Sequence, residues 1–404
     1  MTRRPLEGIR IVDFTWVGAG PYTTKILADA GAEVIKIESE KRPDVLRFMP
    51  PLKDGIKGIN RSGYFANRNT SKKSFTLDMK QEESKEIIKQ LVAKADVVTN
   101  SFTAGTLERW GLGYEVLKEV KPDIIFMSMP MQGTTGPHKD YSGFGAMMNA
   151  LIGLNHLTGL ENREPIGTGT NYPDHVPNPT HGAFAIMSAI RYRNKTGKGQ
   201  YLELAQTESA LNVLAVAVLE AANNNTSPIR KGNFVPEAIP NNAYPCQGED
   251  RWCVISCETE EQWEALINIP HLRPTFKIQN IKNKEVRLKN IKQIDAIITE
   301  WTKRHTPEEI FEQLQALKIP AGIIQTAKDL VEYDKQLKAR NHLITLNHPE
   351  MGETLYNNAP FKMSETPVEP TKAAPMIGAD TEDVLKEILG MSEEEIKKRK
   401  HLFI

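Results

Sequence analysis

Residues 9–38 read IRIVDFTWVGAGPYTTKILADAGAEVIKIE. Residues 9–14 are mostly β-branched and apolar, Gly18-Ala19-Gly20-Pro21 supplies a tight turn, and residues 22–30 carry apolar side chains at helical spacing. Gly31 stops that helix before a second β-branched run, residues 33–38. The order predicts a βαβ unit, two parallel strands joined by a helix.

The turn matches only part of the dinucleotide fingerprint. Gly18 and Gly20 are in place and Glu38 ends the second strand where a ribose ligand would sit, but Thr23 stands at the third glycine position. Pro21 also removes an amide that would point at a phosphate. The turn reads as a tight backbone crossing rather than an NAD site.

Working outward, the alternation continues. Residues 75–77 read as a strand, 83–94 as an amphipathic helix, 95–98 as a strand, 107–110 and 114–120 as helices, 124–129 as a buried strand and 201–204 as another. Strand and helix in alternation predict an α/β fold with an open, mostly parallel sheet covered on both faces. Residues 42–69 hold Pro43, Pro50, Pro51 and several glycines and read as a long surface excursion. An apolar helix is expected from about Thr180 to the basic, glycine-terminated stretch 195–199, and a second over 208–222. After the polar, proline-bearing stretch 223–241 the character changes to a smaller α+β region. Its readings are a strand over 252–257, helices over 260–267, 284–305 and 307–317, and a strand over 321–324. Residues 330–346 read as helical and 354–361 as a β turn-back. The predicted division is 1–222, 223–330 and 331–404.

Length and composition bound the rest. At 404 residues the chain has room for two or three domains. With 51 basic and 51 acidic residues it has no net charge, so nothing draws nucleic acid or an anionic membrane surface. No apolar run approaches the roughly 20 residues that span a bilayer, and no export signal is visible near Arg4 and Leu6. Three cysteines, Cys246, Cys253 and Cys257, fit free thiols in a reducing cytoplasm. Cys253 and Cys257 share a strand face, yet without a second pair they read as packing residues rather than zinc ligands. The charge run over 282–292 reads as a solvated helix face.

Asp174 is the residue singled out for chemistry. It sits in the proline-bounded loop Tyr172-Pro173-Asp174-His175, ahead of an apolar helix whose unpaired amides favour a carboxylate and any oxyanion beside it. The competing reading is a helix cap, but Asp174 is too far before Thr180, which can supply a cap itself. His175 and His181 lie close in sequence, without a third ligand at a recognisable metal spacing. His156 reads as a satisfied core histidine.

Several segments in order along nearly the whole chain resemble class III CoA-transferases, the family of formyl-CoA transferase and carnitine CoA-transferase. They are Leu6-Glu7-Gly8, Val12-Asp13-Phe14, Gly18-Ala19-Gly20-Pro21, residues 31–38, Leu77-Asp78, residues 95–98, Asp174 with its following helix, residues 196–200 and residues 374–378. The resemblance implies a Rossmann-like large domain built from both chain ends, a smaller α+β domain, and an interlocked dimer, homomeric or with a similar chain. It implies Asp174 as nucleophile, forming first a mixed anhydride and then an aspartyl-CoA thioester. No metal and no permanently bound cofactor are called for; coenzyme A is a substrate. Val17, Gly18, Leu77, Lys80, Ser101, Phe102 and Arg109 are carried over as CoA contacts. The expected substrate pocket comprises Trp16, Phe144, Gly145, Met147, Tyr172 and His175, apolar enough to keep activated acyl groups dry.

Relative to the formyl-CoA branch the chain has Gly18 in place of a glutamine, Ser39 in place of a basic residue, Ser142 in place of a lysine and Gly145 in place of a glutamate. A glycine-run flap is missing between Gly232 and Gly248. The expected acceptor is therefore an aromatic or dicarboxylic acid such as benzylsuccinate, with succinyl-CoA as donor. The alternatives are an α-methylacyl-CoA racemase of the same family, whose histidine falls at Phe144 and leaves only His175 as a second base, and a non-catalytic subunit of a paired transferase.

Overall fold

The computed structural model describes residues 4–270, 272–273 and 276–404, which form two compact units. The larger comprises Met1–His156, Ile166–Pro228 and Gln336–Ile404; the smaller comprises Leu157–Pro165 and Ile229–Lys335.

In the larger unit, β1 (Arg10–Phe14), β2 (Glu33–Glu38), β3 (Lys73–Thr76), β4 (Val97–Asn100), β5 (Ile125–Ser128) and β6 (Gln200–Glu203) form one sheet of order β3-β2-β1-β4-β5-β6. Every pairing in it is parallel. The strands are apolar because both faces are covered. Val12, Phe14, Ile35, Ile37 and Phe75 point to one side, against Ile88, Leu91, Leu117 and Leu385. Ile11, Val34, Val97 and Ile125 point to the other, against Leu27, Ala183 and Ile186. Five helices matter for the site: α1 (Ala19–Asp29), α2 (Gly63–Arg68), α3 (Gly145–Leu151), α4 (Pro177–Thr196) and α5 (Ala215–Asn224). In this strand order β1 and β4 lie side by side with crossovers leaving in opposite directions. A crevice opens beyond their carboxyl ends, where open α/β sheets bind ligands.

The outer edge of β3 is covered by the chain's C-terminal part. Ser74 N–H donates to the Asp380 carboxylate (2.8 Å), Thr76 N–H to Thr381 Oγ1 (3.0 Å), and Asp380 N–H to Ser74 O (3.1 Å). Val384, Leu385, Ile388 and Leu402 join the core on the same side. The smaller unit has an antiparallel sheet of β7 (Asn241–Pro245), β8 (Trp252–Ser256) and β9 (Ala321–Ile323), order β7-β8-β9. Helices packed on it bring Trp263, Leu266, Ile298, Trp301 and Leu314 into one core. Cys246, Cys253 and Cys257 are free thiols within that core, and burial pushes the Cys257 thiol up to about 12, which leaves it unreactive.

The structure departs from the sequence reading in four places. The helix expected from Thr180 begins at Pro177, because proline is tolerated in a first turn; Thr180 is inside it, its hydroxyl donating to Val176 O (2.6 Å). The helix expected over 208–222 is broken by a 3-10 turn at Asn212–Leu214. Residues 330–346 are not one helix: they contain two short helical turns and then enter β10 (Leu343–His348), which pairs antiparallel with β11 (Gly352–Asn357). The surface excursion over 42–69 holds α2, capped by Ser62, whose Oγ accepts from Phe65 N–H (3.1 Å).

Candidate active site

Asp174 lies on a single helical turn, Tyr172–His175, immediately before α4. Pro173 starts the turn and Asp174 N–H closes it on Asn171 O (2.9 Å). Asp174 is 5% exposed. The one hydrogen bond it accepts among the described residues comes not from α4 but from the backbone of Gly145, at the start of α3 (3.2 Å). Burial raises its pKa to about 6, partly offset by the Gly145 N–H and by the positive charge of Arg68. A carboxylate so poorly solvated is a stronger nucleophile than one in water, and at neutral pH it is still ionised.

Two glycines make room for it. A Cβ on Gly18 would lie 2.8 Å from Cβ, Cγ and Oδ2 of Asp174; one on Gly145 would lie 2.7 Å from Oδ2 and 2.6 Å from Asn171 Cβ. Real Cβ atoms do not approach so closely, so the bare backbone at both positions is what admits the carboxylate. The turn before Gly18 is held under strain. Val17, a β-branched residue, has φ +67°. Its N–H donates to Asp44 Oδ1 (3.1 Å), and Asp44 is locked by Lys36 (3.0 Å), which also donates to Thr15 O (2.6 Å). Ser101 ties the turn to the end of β4: its Oγ accepts from Trp16 N–H (3.0 Å) and donates to Trp16 O (3.1 Å). Beneath it Asp13, wholly buried, accepts from Thr15, Thr24, Thr99 and Lys72.

Beside the Asp174 turn lie four residues of charged or aromatic character, His175, Arg68, Tyr22 and Tyr64. His175 Nδ1 is 2.9 Å from a guanidinium nitrogen of Arg68, and burial together with Arg68 pushes the imidazole down to about 4, so it is neutral at physiological pH. Arg68 stacks over the ring of Tyr22, 4.1 Å from the centroid, and Tyr64 stands edge-on to His175 at 6.1 Å. His181 does not join this group; its Nδ1 is 2.7 Å from Ser209 Oγ.

The crevice beyond β1 and β4 holds a cavity of about 560 Å³. Trp16, Leu77, Lys80 and Phe102, all singled out in the sequence, line it, together with Ser39, Lys41, Arg42, Met79 and Trp110. Trp16, Phe102 and Trp110 form an edge-to-face series with successive centroids 5.5 Å apart, and Lys41, Arg42 and Lys80 put three cations on its wall. The volume and the pairing of aromatic with basic side chains suit a phosphorylated nucleotide. Arg109 is not on the cavity wall: its guanidinium is turned back to Thr106 Oγ1 (2.8 Å) and Ala104 O (3.3 Å).

The structure thus divides the residues read from the sequence. Gly18, Gly145 and Asp174 converge, with Tyr172 and His175 on the same turn. Trp16 lines the nucleotide-sized cavity instead of the wall beside Asp174. Phe144 and Met147 are exposed in this chain, since α3 turns Gly145 inward and Phe144, just before its first turn, outward. Asp44, Tyr64 and Arg68 were not anticipated. They sit in the proline-rich excursion and on a six-residue helix, where no periodicity or motif marks them.

Comparison with known proteins agrees with this geometry. A family model described as CoA-transferase family III matches residues 6–381. The chain is 32% identical over 399 residues to the succinyl-CoA–L-malate CoA-transferase beta subunit of Chloroflexus aurantiacus, covering 98% of this chain and 96% of that one. It is 30% identical over 411 residues to the formyl-CoA:oxalate CoA-transferase of Streptomyces coelicolor, covering 98% of each. The crystal structure of a CAIB/BAIF family protein from Brucella suis superposes with a TM-score of 0.87 at 29% identity, over 96% of this chain and all of that one. The match of the family model and of these relatives over nearly the whole length shows that the chain belongs to the family III CoA-transferases.

Proposed function

We propose that the protein transfers CoA from succinyl-CoA to a dicarboxylic or aromatic acid through a covalent intermediate on Asp174. The observation that carries this reading is the isolated carboxylate itself, desolvated and seated against the bare backbone of Gly18 and Gly145. One carboxylate oxygen of Asp174 attacks the thioester carbonyl, the C–S bond breaks, and CoA leaves as a thiolate, giving a mixed anhydride. The thiolate then attacks Cγ of Asp174, the donor acid leaves as a carboxylate, and an aspartyl-CoA thioester remains. The acceptor carboxylate attacks that thioester, and the same steps in reverse deliver the new acyl-CoA and free Asp174. No proton moves at any step, so the site needs no general base, in accord with a His175 too weakly basic to serve as one. That weakness also speaks against the racemase alternative.

CoA binds along the larger unit, its nucleotide in the cavity walled by Trp16, Phe102, Trp110, Lys41 and Lys80; Val17 and Ser101 adjoin or bond Trp16 on that wall, and Gly18 abuts Asp174, so the three serve the arm that reaches the nucleophile. Arg109 serves only after turning out of its present contacts. The functional unit is a dimer in the cytoplasm, with a copy of itself or a similar chain. Support comes from α5, an apolar helix with no buried residue, on which Val216 is 80% and Leu219 57% exposed, and from Phe184, 69% exposed on α4. The relative from Chloroflexus aurantiacus is named as one subunit of a transferase. No helix among the described residues is long and apolar enough to cross a membrane.

Trapping tests the intermediate. Protein incubated with succinyl-CoA and then hydroxylamine should carry a hydroxamate on the peptide containing Asp174, detectable by mass. A tag on another residue, or full activity in Asp174→Ala, would overturn the assignment.

A further inference from the structure

Arg68 ends the short helix α2, and its guanidinium lies beside the turn that carries Asp174. Buried or half-buried arginines normally pair with a carboxylate. Among the described residues Arg68 does not. It donates to Asn67 Oδ1 (3.0 Å), lies 2.9 Å from His175 Nδ1 and bonds the Tyr64 phenol, and none of these is a carboxylate; the imidazole, pushed down to about 4, is neutral. Its plane is held over Tyr22 at 4.1 Å, with Tyr64 at 5.6 Å, and its Nε is buried and donates to nothing. The same chain elsewhere shows what a satisfied arginine looks like: Arg47, also set over an aromatic ring, donates from Nε and Nη2 to the two oxygens of Glu38 (2.8 and 2.7 Å). Arg68 has the stacking and the rigidity of Arg47, and lacks the carboxylate.

We infer that Arg68 is the receptor for the second carboxylate of a dicarboxylic acyl group, the group whose first carboxyl is exchanged at Asp174. The inference rests on the transferase reading and names the substrate class within it: diacids, with the bare carboxylate at the end remote from the thioester. A guanidinium fixed by ring stacking keeps a second N–H on each of Nη1 and Nη2 to offer a carboxylate, with little ordering left to do. A substrate lacking that carboxylate leaves the guanidinium desolvated and unpaired, and so is rejected. Arg68 contacts the residue next to the nucleophile and its charge reaches Asp174. A merely electrostatic role would act on every acyl-CoA alike, and this gives the test its edge.

The experiment uses the intact protein and follows exchange of isotopic label between an acyl-CoA and its own free acid, for succinyl-CoA with succinate and for butyryl-CoA with butyrate. These pairs share chain length and differ in the terminal carboxylate. The wild type should favour the succinyl pair by on the order of 10²-fold in kcat/KM. In Arg68→Met that ratio should fall to within about threefold of unity, with most of the loss in KM for the succinyl pair. Arg68→Lys, which keeps the charge and the fold but not the fork, should give an intermediate ratio. A wild-type ratio near one, or a ratio that Arg68→Met and Arg68→Lys leave unchanged while both rates drop together, would overturn the inference and leave the transferase reading standing. Absence of exchange with any acyl-CoA would overturn the transferase reading and this inference with it.

Discussion

Replacing Asp174 by asparagine should make the protein more stable while abolishing transfer. In the folded state burial raises the carboxyl from its ordinary value of 3.8 to about 6. Between those two values the folded protein binds more protons than the unfolded chain, so stability falls as pH rises through the window and levels off above it. The full difference corresponds to about 3 kcal/mol at pH 8, and to about half of that at pH 5. An asparagine has nearly the same shape, keeps an oxygen to accept from Gly145 N–H (3.2 Å in the native protein), and carries no charge to desolvate. The variant should therefore melt about 3–5 °C higher than the wild type at pH 8, taking an unfolding entropy of about 2.1 cal/mol/K per residue. The gap should narrow by about half at pH 5. Scanning calorimetry of both proteins at the two pH values measures it, and the wild-type rate should show an acid limb near pH 6, where Asp174 loses its nucleophilic form. A variant less stable than the wild type at pH 8, or a gap independent of pH, would refute the desolvation argument. The expected pattern is a site that holds stability in reserve for reactivity.

Gly18→Ala and Gly145→Ala each place a Cβ less than 3 Å from the Asp174 carboxylate. With the nucleophile displaced by a few tenths of an ångström or more, kcat should fall by about 10²-fold in either variant, and in Gly145→Ala, which lies off the proposed CoA path, the affinity for free CoA measured by calorimetry should change little; retention of full kcat would show that the carboxylate is not held as described. Val216→Glu puts a charge on the bare apolar face of α5. It should shift sedimentation from dimer toward smaller or aggregated species, and an unaltered, fully active dimer would show that α5 is not at the interface.

The stretch over 9–38 disclosed the fold because its apolar residues obey two periods in succession, with a glycine at each change, and the structure has β1, α1 and β2 in that order. Asp174 was legible because prolines isolate it ahead of an apolar helix. The segment over 330–346 misled because its Lys-rich first half has helical spacing; the strand that follows is fixed by pairing of β10 with β11, a contact that local sequence does not announce. Arg68 and Asp44 were beyond reach for the same reason. Their contacts exist only because α2 and the excursion before it fold back onto Tyr22, His175 and Val17, residues 27 to 107 positions away in the chain. Trp16 was read as part of the acid pocket, whereas it lines the cavity with Phe102 and Trp110, beyond a turn at Val17 that no propensity foretells, since a β-branched residue rarely takes a positive φ.

The cover on β3 bears on how the protein is made. Ser74 and its partner Asp380 are 306 residues apart, so at about 5–20 residues per second the ribosome needs about 15–60 s to supply the second after the first. Through that interval the nascent sheet has a bare, hydrogen-bonding edge beside an apolar face still lacking Val384, Leu385, Ile388 and Leu402. Such an edge is a template for pairing with another growing chain. The larger unit therefore cannot close this edge until residues 380–402 have been made, and until then the open edge and the unfilled apolar face stay exposed to mispairing.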